Sequence, residues 1–462
     1  MQPIKNQAAA LMAPRKERIM PWKQQTSTVP CRPGRGSSRL IVAGLSAALV
    51  TTVAVASVAP TANASGPHHS RTDTYVSAWD AVGAEALAAE KLSPPDGIVI
   101  FGYAGIAVYD AVRAVRRKYE PFAVRTSEGR GASPEAAVVA AAHRIYEYYV
   151  PNQEAAILDP AYDASLGTIP EGRAKTRGVA VGLGVANALI ALRADDGFRA
   201  VVDYTPPNPA DPGNWVPTAP TPPIGTRVGA MEPFALKSAD QFRPDGPPPL
   251  RSRRWARDYN EVKKIGSRTS TTRRGWQTTA ASFWAEPPVY QAHLALRGVI
   301  TQHKLDVVEA ARMMAMVSVT YADAAIACFE AKYAYEFWRP ITAIPAGDKD
   351  GNDATVADPA WMPLLPGTPN HPEYPSAHSC ITPAGGEALA EFLGTRRIDL
   401  TMPSLTGLDD RHFDTVTDLA WEVGEARIWG GIHFRTAVED GIRMARQTAA
   451  EVLDDNFELT RR

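Results

Sequence analysis

A chain of 462 residues in which 45% are hydrophobic and 21% charged can bury one large core or two ordinary ones, so disorder of the whole is excluded. Residues 1–64 hold eight of the 49 basic and one of the 50 acidic side chains, which leaves 41 against 49 and a net charge of −8 beyond them. That balance disfavours nucleic acid as a partner. Only Cys328 and Cys380 follow Cys31, too few for a disulfide scaffold or a cysteine zinc site, although one bridge is compatible with an oxidising compartment.

In chain order, the first segment reads as a secretory signal. A basic lead from Lys5 to Arg39 precedes a small, apolar run from Leu40 to Ala59, and Ala62-Asn63-Ala64 offers an A-x-A cleavage site. The competing reading is an uncleaved anchor, since twenty apolar residues just span a bilayer. With cleavage after residue 64, the mature chain is expected outside the cell, exported by the general route because no twin arginine precedes the run, and without a stable membrane span.

Residues 65–200 are expected to form an N-terminal helical region. Thr72 to Leu92, Gly97 to Val115, Ser133 to Tyr149 and Ala174 to Ala194 carry apolar residues three and four apart. Residues 201–251 form a proline-rich wrap or linker: thirteen of the 39 prolines lie between Pro206 and Pro249, which excludes helix and central strand. Its aromatic residues Tyr204, Trp215, Phe234 and Phe242 favour the wrap. Residues 252–462 read as a C-terminal helical region that opens with Trp255 to Ile265, Val289 to Gln302 and Leu305 to Phe337. No alternating strand pattern stands out, so the expected class is all-α, built of packed helical bundles.

Three short elements in that last region carry candidate chemistry. Lys332 and Arg339 are seven apart, two turns along one helical face if the helix continues to Pro340. Apolar and aromatic residues share that face, so these are either snorkelling cations or cations that need a buried anion. Pro375-Ser376-Ala377-His378 opens the helix suggested by Ala377 to Phe392, with Ser376 as its N-cap. A helix N-terminus offers unpaired N–H groups to an oxyanion. Finally, Arg427 and His433 flank Gly430-Gly431, a helix stop that would let the two side chains converge.

Singly each element is weak, but their order and spacing resemble the superfamily of type 2 phosphatidic acid phosphatases, bacterial acid phosphatases and vanadium-dependent haloperoxidases. The resemblance covers residues 332 to 433. It implies that Lys332, Arg339 and Arg427 neutralise the oxygens of a bound oxyanion, with hydrogen bonds from Ser376 and the Ala377 N–H. It makes His433 the ligand of the metal vanadium, or the nucleophile of a phosphatase, and His378 the general acid and base. The implied cofactor is vanadate, and phosphate could occupy the same site.

The motifs look like the haloperoxidase branch, and the size and helical N-terminal region agree with it. His371 then falls where a residue tunes halide oxidation, and a histidine there resembles the bromide type. The implied reaction is a two-electron oxidation of halide by hydrogen peroxide. The alternative is a secreted acid phosphatase acting on a phosphate ester through a phosphohistidine, and a non-enzymatic oxyanion-binding protein is the third reading. A homo-oligomer is compatible with the sequence. One departure stands out: Ala437 lies four residues after His433, where an aspartate often orients the imidazole, and a backbone carbonyl is the expected substitute because Asp440 is too distant. Lys332 and Ser376 meeting on one anion would also bring Cys328 near Cys380.

Overall fold

The computed structural model describes residues 74–460, so the expected signal segment 1–64 lies outside the described residues. The elements in order are α1 (Thr74–Glu90), α2 (Pro94–Arg116), α3 (Pro134–Tyr149), α4 (Asp159–Gly167), α5 (Arg173–Leu192), α6 (Thr226–Gly229), α7 (Arg253–Ile265), α8 (Gly275–Phe283) and α9 (Pro288–His303). There follow α10 (Val307–Tyr335), α11 (Pro340–Ala343), α12 (Ala377–Leu393), β1 (Arg397–Met402), β2 (Arg411–Thr415), α13 (Val416–Trp429) and α14 (Arg435–Leu453). The fold is all-α, as the periodicity predicts. The exception is the antiparallel ribbon β1–β2, in which Leu400 pairs with Phe413. Its alternation is short, and only Ile398, Leu400, Met402 and Phe413 turn inward, which is why it does not stand out in the sequence.

Helices α2 and α10 pack along each other at the centre, and α12 lies between α10 and α14. Both central helices are long and apolar enough to cross a bilayer, yet nearly all of that surface is buried within the protein. Their hydropathy therefore reflects burial on all sides. Asp306 caps α10 by accepting the N–H groups of Val308 and Glu309.

The proline-rich segment 201–251 lies against the end of α10 and, contrary to the expected exclusion of helix, contains the single turn α6 between its prolines. The Trp215 N–H donates to the Glu336 carbonyl at 2.6 Å, the Ile224 N–H donates to Asn370 O at 2.9 Å, and Trp215 is fully buried. The Asp323 carboxylate, buried in α10, accepts the N–H groups of Phe234, Ala235 and Leu236. Those bonds give donors to a segment with no ladder of its own.

Cys328 on α10 and Cys380 on α12 are free, buried thiols with their sulfurs 2.7 Å apart.

Candidate functional site

Helix α10 ends at Tyr335, capped by Glu336 in the left-handed conformation (φ 46°). Arg339 is therefore not on the same helix as Lys332, contrary to the helical-face expectation; it precedes α11 with extended backbone (ψ 156°). The two cations still converge, because the chain turns back beneath the segment 369–375. Lys332 Nζ donates to the carbonyls of Pro372 (2.9 Å), Glu373 (3.1 Å) and Pro375. Arg339 donates from Nε to His371 O (3.0 Å) and from Nη1 to Ile432 O (2.9 Å). Both cations thus tie the histidine-rich loop to the body of the protein while fully buried.

The Gly430-Gly431 stop forms as the sequence suggests. Helix α13 ends at Trp429, and Gly431 adopts φ 76° with its Cα so close to Gly266 that a Cβ would lie 2.4 Å from the Gly266 carbonyl. The corner turns His433 back toward Arg427, just before α14. On the other side, Gly441 of α14 packs against the start of α12, where a Cβ would meet the Ser376 carbonyl at 3.0 Å. The Ser376 N–H donates to Ala437 O at 3.0 Å. Position 437 thus contributes its backbone to holding α12 in place.

Ser376 is the N-cap residue of α12, as expected, but its side chain makes no cap hydrogen bond. Its hydroxyl instead accepts from Ser379 Oγ at 3.0 Å. As in any helix, the first N–H groups of α12 have no intrahelical acceptor, which suits an oxyanion.

His433 is held by Glu373. Its Nδ1 lies 2.9 Å from Glu373 Oε1, which also accepts the Phe434 N–H at 2.9 Å. Arg339 Nη1 lies 3.1 Å from His433 Nε2. A guanidinium can only donate, so Nε2 carries the lone pair and Nδ1 the proton. The orienting group missing at Ala437 is therefore supplied from another element, and the expected backbone carbonyl is not used. Asp440 accepts from the Tyr374 hydroxyl at 2.5 Å and pairs with Arg443, which steadies the same loop from behind. The motifs in the sequence assign Glu373 no role. The available signal was the vacancy at Ala437, together with the only acid in the Asn370–Cys380 stretch.

Arg427 is 1% exposed, and its Nε and Nη2 have no hydrogen-bond partner among the described residues. His378 Nε2 is likewise buried without a partner, while the Trp284 backbone engages the ring. His371 sits 3.0 Å from Arg339 Nη2 and edge-on to Phe329, with 5.2 Å between ring centroids. Arg339 lies within electrostatic reach of both Lys332 and Arg427, and Glu373 is the acid near Lys332 and Arg339. Burial pulls all three below their ordinary values: Lys332 to about 8, Arg339 to about 10 and Arg427 to about 9, with Arg339 adding to the depression of the other two. Burial, reinforced by these cations, also holds His371, His378 and His433 well below the usual imidazole range, so all three are neutral at pH 7. Burial pushes the Glu373 carboxyl up to about 8, against the opposing pull of the Phe434 N–H, Arg339 and Lys332.

Such a site is short of negative charge. Three buried cations, an Arg427 with unpaired N–H groups, a helix N-terminus and one imidazole lone pair fit a tetrahedral oxyanion attached to His433. The donor set does not suit a bare metal ion: no group of three His, Cys, Asp or Glu side chains among the described residues could hold one. His371, His378 and His433 form the polar floor of a cavity of about 120 Å³ whose walls are apolar.

A family model described as the VCPO second helical-bundle domain matches residues 312–461, which include every cation and histidine of the site. The chain is 24% identical over 380 residues to vanadium chloroperoxidase of Curvularia inaequalis, an alignment covering 62% of each protein; the chain thus spans less than two thirds of that relative's length. Among solved structures, a bacterial vanadium-dependent iodoperoxidase superposes with a TM-score of 0.73 at 25% identity, over 86% of this chain and 100% of the other. A bacterial vanadium-dependent chloroperoxidase in its holo form superposes with a TM-score of 0.61 over 79% of this chain and 92% of the other; at 18% identity it speaks to fold alone.

Proposed function

We propose that the chain, similar in sequence and fold to vanadium haloperoxidases, is a secreted vanadium-dependent haloperoxidase that oxidises bromide with hydrogen peroxide. The observation that carries this reading is the locked imidazole: Glu373 fixes His433 so that its Nε2 lone pair meets Arg339, one of three buried cations at the site.

In this reading His433 would hold vanadate through Nε2, and Lys332, Arg339 and Arg427 would balance its negative charge, aided by the first N–H groups of α12. Vanadate supplies a Lewis-acidic centre that activates peroxide toward two-electron oxidation of halide. His378 is neutral and its Nε2 has no partner, so it would accept and return a proton at that atom. Lys332 is fixed by three carbonyls, so it contributes charge at a set position. His371 lies beside Arg339, where it bears on the halide; its histidine favours bromide over chloride, and the more readily oxidised iodide reacts as well.

The test is a steady-state assay of the anion-stripped protein with and without orthovanadate, first with bromide plus peroxide and then with an aryl phosphate. Vanadate-dependent bromination is expected. Phosphate release that vanadate inhibits would instead identify an acid phosphatase.

A further inference from the structure

Between Glu261 and Glu286 the chain carries five basic residues and no acidic one, in a protein whose net charge beyond residue 64 is −8. Two of the five serve the fold. Lys263 Nζ donates to Val356 O at 2.6 Å, and Arg273 Nη1 donates to Ile265 O (2.6 Å) and Ser267 O (2.7 Å). The other three, Lys264 at the end of α7 and Arg268 and Arg274 on the loop to α8, are exposed. None of their side chains makes a hydrogen bond or ion pair to a described residue.

The same loop is held in a fixed shape. Arg273 folds it back on itself, so Lys264 and Arg268, each one residue from a carbonyl that Arg273 grips, come beside Arg274. Gly266 packs on the Gly431 corner so closely that a Cβ would lie 2.6 Å from the Gly431 Cα. The three free cations are therefore gathered before any partner arrives, which lowers the ordering cost of binding.

Two residues beyond Arg274, an aromatic patch begins. Trp276 of α8 is 46% exposed and Trp421 of α13 is 38% exposed, with 6.5 Å between ring centroids and 31° between ring planes. Both rings stand steeply against the buried Trp429, at 4.9 and 5.9 Å. Two neighbouring indoles left partly in water, on a rigid support, mark a surface with a use beyond the core. The acids beside Trp421 do not cancel the cations: Glu422 is paired with Arg411, and Glu425 with Arg435.

We infer that this surface binds an acidic polysaccharide, whose sugar rings lie on Trp276 and Trp421 and whose acid groups meet Lys264, Arg268 and Arg274. A pyranose ring has faces lined by C–H groups and edges that carry hydroxyls and acids, so each unit offers an apolar face and an anion together. Indole faces beside unpaired guanidinium and ammonium groups complement that pairing. The choice of polymer rests on the secreted reading above, which places the chain among extracellular polyanions. A bilayer would favour indoles that project freely, whereas these lean on Trp429. Nucleic acid is disfavoured by the −8 charge of the remainder.

The experiment titrates the full chain with polygalacturonate by calorimetry, at low and at higher salt. Neutral dextran supplies rings without charge, and poly-L-glutamate supplies charge without rings; poly(dT) and anionic phospholipid vesicles test the other partners. Polygalacturonate is expected to bind about tenfold or more tightly than dextran or polyglutamate, and to weaken as salt rises. Trp276→Ala/Trp421→Ala should remove the advantage over polyglutamate, and Arg268→Ser/Arg274→Ser the advantage over dextran. The melting temperature of each variant is compared with the parent's, and the polymer comparison on the parent protein decides the matter even if a variant misfolds. Absence of polygalacturonate binding, equal binding of polyglutamate, tighter binding of poly(dT) or vesicles, or a preference that survives both double variants overturns the inference. Secretion is read separately, from the N-terminus of protein recovered from culture medium, and halide oxidation plays no part in the readout. Failure of either reading is thus distinguishable from failure of this one.

Discussion

Glu373 Oε1 and His433 Nδ1 lie 2.9 Å apart although sixty residues separate them in the chain, and this contact fixes which imidazole nitrogen faces the cations. Removal of such an orienting partner generally costs about 10–100-fold in metal affinity. Glu373→Ala is therefore expected to weaken vanadate binding by about that factor, measured by equilibrium dialysis. The double variant Glu373→Ala/Ala437→Asp places a carboxylate one helical turn after His433 and should recover part of the loss. Unchanged affinity in the single variant would remove Glu373 from this role.

His378 lines the cavity, and its Nε2 is buried without a hydrogen-bond partner among the described residues. A positioned acid–base group typically contributes about 10²–10⁴-fold to rate. His378→Ala should lower bromide oxidation by that range while vanadate affinity changes by less than about tenfold. Loss of affinity in proportion to rate would make His378 a binding group.

Arg427 is buried with two unpaired donors, so function and stability should pull in opposite directions there. Charge-assisted hydrogen bonds are worth about 1.5–3 kcal/mol, so Arg427→Met is expected to lose roughly 10–150-fold in vanadate or phosphate affinity. In anion-free buffer the same variant should be more stable by about 1–3 kcal/mol, because the desolvation penalty of the unpaired groups disappears. Chemical denaturation with and without phosphate measures both effects.

His371 is buried, and its folded-state value lies well below that of the unfolded chain. Below pH 6.5 the unfolded chain takes up a proton that the folded one refuses, so stability falls as pH falls toward the folded-state value. The slope is about 1.4 kcal/mol per pH unit for this group; His378 and His433 act in the same direction, whereas Glu373, raised to about 8, cancels about one of the three between pH 5 and 7. The anion-free protein should therefore melt at lower temperature at pH 5 than at pH 7. Phosphate should reduce the difference, since an anion beside the imidazoles offsets the cations. A melting temperature independent of pH over this interval would contradict the assignment.

Cys328 and Cys380 are fully shielded, and burial pushes the Cys380 thiol well above its ordinary value. Thiolate is the reactive form. Iodoacetamide should leave both thiols unmodified in the folded chain and label both after denaturation without reductant. Failure of both to label in the denatured chain would mean that the pair is bridged.

The helices and the three site elements were legible in the sequence because their causes are local. Apolar residues three and four apart mark α2, α10 and α12, and Gly430-Gly431 marks the corner before His433. Spacing also brought Lys332, Ser376 and His433 to one reading, since a site built on helix ends keeps a characteristic order along the chain. What remained hidden depends on chain paths that periodicity does not encode. Helix α10 stops at Tyr335, so Arg339 reaches the site from an extended segment and not from a shared helical face. The partner of His433 arrives on the 369–375 loop, and a carboxylate can serve from any element that passes within 3 Å. The apolar wall is drawn from Pro95 and Ile98 near one end of the chain and Val289 and Ala292 in its middle. Those residues read as ordinary core in sequence, because the same apolar side chains fill a core or line a cavity. Only the packing of α2 and α9 around the imidazoles leaves space between them.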